Sequence, residues 1–153
     1  MCVMSKWWAL VPLFISLSCV TSDPVSDDVN PSRIQNVPGW FWSEEIGASV
    51  NIRLLLPPSY DSDTSGRYPV IYHLDADWYF SGSSRIEDGG ISGLVSRLTH
   101  SGSIPEVILV GVCELDENGV NRRGRDFHGS RENFFRFLKN ELIPYMDLHY
   151  RTV

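Results

Sequence analysis

The chain has 153 residues, 42% of them hydrophobic and 12% aromatic, and carries a formal net charge of -6. That composition is globular and long enough for one modest core, which excludes a disordered polyelectrolyte. The acidic balance argues against nucleic acid and anionic membrane surfaces as partners, because both need a basic face.

Residues 1–22 read differently from the rest. Lys6 precedes the apolar run Trp7 to Leu17, which is too short to cross a bilayer comfortably and is interrupted by Pro12, so no stable membrane span is expected. Small residues at Ser18, Val20 and Ser22 complete the pattern of a secretory signal peptide cleaved after Ser22, and hence of an exported protein, periplasmic or extracellular. Ser16-Leu17-Ser18-Cys19 partly matches a lipoprotein signal, which makes a lipid anchor at Cys19 the alternative. Loss of the signal leaves Cys113 alone, so no disulfide is expected within these residues. Cys113 follows the apolar run Val107 to Val112 and reads as a buried small hydrophobe rather than a nucleophile.

Residues 23–38 hold Pro24, Pro31 and Pro38 with no periodicity and read as a polar leader or linker, and 39–153 as the folded domain. Gly39 to Glu45, with Trp40, Phe41 and Trp42, predicts a strand capping the core. Val50 to Leu56 predicts a second strand, closed by Pro57 and Pro58. Pro69 to Leu74 predicts a buried central strand that ends at Asp75-Ala76-Asp77. Ile91, Leu94, Val95 and Leu98 recur at helical spacing, so Gly90 to Thr99 is a helix with one apolar face. It connects that strand to another at Glu106 to Val112, a β-α-β unit whose two strands should run parallel. Asn121 to Arg131 reads as a basic loop. Ser130 is placed to cap a helix that turns Phe134, Phe135, Phe137, Leu138 and Leu142 to the sheet, with Pro144 kinking or ending it.

Ligands in open α/β sheets sit beyond the carboxyl ends of the strands, which directs attention to Asp75 through Phe80. Three serines have glycine two positions before them, Ser49, Ser84 and Ser92, but Asn51, Ile86 and Leu94 stand where a nucleophile elbow needs its second glycine. His73 falls inside the central strand, His100 at a helix end and His149 near the end of the chain, all structural readings, which leaves His128 as the one loop histidine able to approach a site. Asp75 and Asp77 lack the third carboxylate that a hard-cation loop requires, so neither a metal nor a cofactor is expected.

The segments Arg53 to Phe80, Ile104 to Val112, Arg123 to Phe127 and Glu132 to Thr152 together resemble the N-terminal portion of the putative-esterase family of α/β-hydrolases, which includes esterase D and siderophore esterases. The resemblance runs from Trp42 to the end. It implies a partial α/β-hydrolase fold, a mostly parallel sheet with flanking helices, truncated before the nucleophile elbow, with the serine, acid and histidine of the triad beyond Val153. The implied activity is that of an exported serine carboxylic-ester hydrolase acting on a small-molecule ester, with siderophore esters favoured by the LDADWYF loop; these residues alone are expected to be inactive. By family position Asp77 supplies, through its backbone N–H, one donor of the oxyanion hole, so its side chain is expected to matter less than its amide. Ala76 stands where relatives have glycine. Trp78, Tyr79 and Phe80 are expected to wall the pocket, and Arg123, Arg125 and His128 to meet the substrate at its mouth, unless Arg125 and Asp126 only shape the loop. The alternatives are an acyltransferase of the same family and a non-catalytic exported binding protein.

Overall fold

Apolar runs bounded by proline and glycine set the strands, and their alternation sets the layers. The computed structural model describes residues 32–81 and 89–153; the expected signal, its cleavage site, most of the expected linker and Ser84 lie outside the described residues. Strands β1 (Arg33–Asn36), β4 (Ile52–Leu56), β5 (Val70–Leu74) and β6 (Ile108–Val112) form one sheet in the order β1-β4-β6-β5, while β2 (Phe41–Ser43) and β3 (Ala48–Val50) form a separate hairpin.

The expected parallel pairing holds: β5 and β6 align from Val70 beside Ile108 to Leu74 beside Val112. β1 with β4 and β4 with β6 are antiparallel, so the described sheet is mixed, with its parallel part at β5 and β6. Tyr68, just before β5, forms a parallel bridge with Thr152. Two further differences have local causes. The expected linker ends early, because residues 33–36 are an edge strand whose polar side chains give no apolar alternation and whose partner is the edge of β4. The expected strand Val50 to Leu56 is broken at Asn51, whose carbonyl accepts the Cys113 amide, and its two halves serve different sheets.

Every residue of β6 is buried, the mark of a strand covered on both faces. Ile108, Val110 and Val112 point into the larger cluster with Ile52, Leu54, Leu56, Phe134, Phe137, Leu142 and Met146. Leu109 and Cys113 point the other way, into a cluster with Leu55, Ala76, Phe80 and Val95. Helix α1 (Ala76–Tyr79) and helix α2 (Gly90–His100) therefore cover one face. The other is covered by a continuous helical stretch, α3 (Arg131–Arg136), a wide π-helical segment Phe137–Leu142 and α4 (Ile143–His149).

Pro144 lies in the first turn of α4, which runs on to His149, so it does not end the stretch. Proline lacks an N–H and crowds the carbonyl four residues earlier, and the widened turn just before it absorbs both. Helical phase decides which aromatics are buried: Phe134 and Phe137 are, while Phe135, expected to face the sheet, is 58% exposed. Leu94 likewise turns outward on α2, 42% exposed, and Val95 takes the buried position. Ser130 precedes α3 without a side-chain cap.

Candidate active-site cleft

A cleft of about 390 Å³ opens at the carboxyl end of β5, lined by Asp75, Trp78, Tyr79, Asn121 and Arg123. Its floor is set by how α1 seats on the sheet. Ala76 and Phe80, one turn apart and both fully buried, lie over Gly111 of β6, where a Cβ would come within 2.9 Å of the Ala76 methyl. Phe80 is therefore packing rather than a wall of the cleft, because its ring occupies the space that glycine leaves.

The turn into α1 needs a left-handed residue, and Asp75 takes it at φ 59, ψ 40. Aspartate tolerates that region better than most residues. Ala76 is helical, so an alanine there meets no backbone penalty.

Charged groups knit this end together. Arg53 of β4 donates to the Ala76 carbonyl and to Asp77 Oδ1, each at 3.1 Å. Asp77 Oδ2 accepts the Leu115 amide at 2.9 Å. The Asp77 side chain thus ties α1 to β4 and to the turn after β6, a structural role beside the one expected of its amide. The Asp77 amide donates to Glu114 Oε2 at 3.2 Å. Glu114 is only 2% exposed, and its Oε1 is buried without a hydrogen-bond partner. Burial pushes its carboxyl above the usual carboxylate range against the lowering pull of the Glu114 and Asp77 backbone amides, and the charges of Asp77 and Asp75 add to the rise.

Arg123 Nε donates to Asp75 Oδ1 at 2.7 Å, which raises the guanidinium's affinity for its proton, and Arg123 Nη1 lies 3.2 Å from His128 Nε2. Trp78, Tyr79 and Arg123 thus share the cleft, with His128 reaching it through Arg123. Arg125 does not join them. It donates to buried Asp126 at 2.6 Å and lines a separate cleft of about 270 Å³ with Trp42 and Asp116. Residues 121–131, expected as a loop, contain a π-helical turn, Gly124–Gly129. That turn is anchored by Arg122, which donates to the Ser49 carbonyl at 2.6 Å and pairs with Asp126.

Cys113 is buried, its thiol driven upward by desolvation, which fits a structural role. Ser49 and Ser92 lie in β3 and α2, away from the cleft lining. His73 sits in β5 with Nε2 buried and unpartnered, its pKa lowered by burial against the opposing pull of Asp75. Among the described residues, no group of three or more His, Cys, Asp or Glu is arranged to hold a metal ion, and no helix is long and apolar enough to cross a membrane.

The family model described as Putative esterase matches residues 43–153. The chain belongs to that family. Solved structures with the same fold include a ferulic acid esterase, at 22% identity and a TM-score of 0.59, aligned over 80% of this chain and 46% of the other. An IroE-like serine hydrolase from Shewanella oneidensis aligns at 20% identity with a TM-score of 0.59, over 79% and 39% of the two chains. The enterobactin esterase of Shigella flexneri aligns at 17% identity with a TM-score of 0.56, over 80% and 27%. The chain thus spans less than half the length of these structures. In this esterase-family chain, sequence reasoning passed over Arg53, Glu114 and the side chain of Asp75. A lone charge inside or directly after an apolar strand, as in IRLLL and VILVGVCE, was the signal that marked the first two.

Proposed function

We propose that these residues form the acyl-binding side of the active-site cleft of an exported carboxylic-ester hydrolase that works through an acyl-serine. The observation that carries this reading is the position of the cleft: it opens at the carboxyl end of a parallel strand pair, where α/β folds hold their ligands, in a chain of the esterase family. Asp77 is assigned as an oxyanion donor through its amide, against the negative charge that develops on the carbonyl oxygen when the serine adds to the ester. Trp78 and Tyr79 offer aromatic faces to the acyl group, and Arg123, held by Asp75, offers a cation at its edge. A hydroxylated aryl ester suits that lining; ferulic acid is the ligand named for the related Anaeromyces mucronatus ferulic acid esterase. The reading requires an activated serine brought to the cleft, and among the described residues no serine lines it.

One observation favours a binding protein without catalysis: the Asp77 amide is already engaged by Glu114. The two readings separate in the protein expressed from its complete gene. Turnover of a p-nitrophenyl or feruloyl ester, with covalent labelling by a serine-directed fluorophosphonate, supports the hydrolase. Saturable binding of the aryl ester without turnover or labelling overturns it in favour of the binding protein.

A further inference from the structure

The carboxyl end of β5 and β6 gathers three carboxylates, Asp75, Asp77 and Glu114, and two guanidiniums, Arg53 and Arg123. Each guanidinium is committed to an aspartate, Arg53 to Asp77 and Arg123 to Asp75. Glu114 is left without a cation, almost wholly buried, with one oxygen unpartnered and the other on the Asp77 amide. Facing it are Asp77 and Asp75 from the β5 to α1 turn, Arg53 from β4, Arg123 from the segment after β6, and the neutral thiol of Cys113. A buried anion whose nearby cations are paired to other carboxylates is costly, and a second anion beside it costs more.

We propose that Glu114 is a positioning residue whose proton decides whether the Asp77 amide is available to an anionic oxygen. The inference rests on the assignment of Asp77 made above. With its carboxyl protonated, Glu114 is a weak acceptor, and the amide can turn its hydrogen bond to a developing oxyanion. With the carboxyl ionised, Glu114 holds the amide in a charge-assisted bond and repels any negative charge that approaches it. The device is therefore closed by deprotonation, and burial together with the two neighbouring aspartates keeps it in the open form further up the pH scale than an ordinary glutamate.

The test has two arms. In the first, the Asp77 amide of the intact protein is followed by 1H-15N NMR across pH, in the native chain and in Glu114→Gln, with amides of β1 and α4 as controls for the fold. The expected result is a single titration step at Asp77 that Glu114→Gln abolishes while the control amides superimpose. A flat Asp77 amide in the native chain, or a step that survives Glu114→Gln, overturns the inference. In the second arm, kcat/KM for a neutral ester is measured across pH in the complete-gene protein. It should fall as pH rises through the same step, by up to about a hundredfold if the donor is lost entirely, and Glu114→Gln should remove that fall. A fall unchanged by Glu114→Gln also overturns the inference. An Asp77 step that vanishes in Glu114→Gln, in a protein with neither ester turnover nor fluorophosphonate labelling, overturns the hydrolase assignment and leaves the coupling standing. A flat amide with full activity does the reverse.

Discussion

Strand β6 is bracketed by two glutamates with opposite fates. Glu106, before its amino end, accepts both the backbone N–H and the hydroxyl of Ser59, and that hydroxyl also bonds Tyr68 Oη at 2.7 Å. Glu114, beyond its carboxyl end, receives one amide and leaves an oxygen bare in the interior. The first arrangement is a network of the kind that fixes a turn. The second keeps a polar group at a deficit, and buried deficits of that kind gather where chemistry is done rather than where chains are merely held. The same division separates two adjacent arginines: Arg122 is buried and spends itself on Ser49 and Asp126, whereas Arg123 is half exposed and lines the cleft.

The contrast breaks most readily at Asp77. Asp77→Ala strips Arg53 and the Leu115 amide of their acceptor and should cost about 3 kcal/mol, measured by urea unfolding, whereas Asp77→Asn should recover part of that loss. Equal stability of the alanine variant and the native protein would mean that the α1 anchor lies elsewhere. Next in size is Gly111→Ala, whose methyl meets the Phe80 ring and the Ala76 methyl. It should cost about 2 kcal/mol by overpacking and, under the proposed function, should weaken aryl-ester binding along with stability, because α1 lines the cleft. At the opposite end of β6, Ser59→Ala removes a donor from Glu106 and should cost about 1 kcal/mol without altering ligand binding. A change in binding there would erase the distinction between the two ends.

The smallest effect is a pH dependence. Because its folded-state pKa is raised, Glu114 holds its proton in the folded state where the unfolded chain has already released it. Stability therefore falls as pH rises from the ordinary glutamate value through the raised one, and levels off above it. Glu114→Gln has no proton to lose, so its stability relative to the native protein should improve across that window; parallel curves would show that folding does not raise the Glu114 carboxyl.

Much of this scaffold was legible from residues 69–112. Continuous apolar runs at Val70–Leu74 and Ile108–Val112, joined by a segment with helical spacing, leave few arrangements other than a parallel pair bridged by a helix. Trp78 and Tyr79 were legible as cleft residues because the carboxyl end of a strand is where such folds present side chains, and Arg123 through the family resemblance of its basic loop. The contacts of Asp77 were not, since its partners Arg53, Glu114 and Leu115 lie more than 20 residues away and no local pattern encodes a hydrogen bond across the sheet. The break at Asn51 and the exposure of Phe135 and Leu94 escaped for a related reason: both depend on where neighbouring elements lie, and apolar composition alone assigned these residues to the core.

Seating α1 on a glycine has a consequence for how the molecule moves. β6 is hydrogen-bonded to β4 on one side and β5 on the other, so its amides should trade hydrogen for deuterium only when the whole sheet opens. Helix α1 has four residues and is held by side chains lodged over Gly111 and by the carboxylates around Arg53. Its amides should therefore exchange through smaller local openings than those of β6, while the sheet beneath stays shut. Exchange of that kind would make the floor of the cleft a separate unit of low cooperativity, opening without loosening the core.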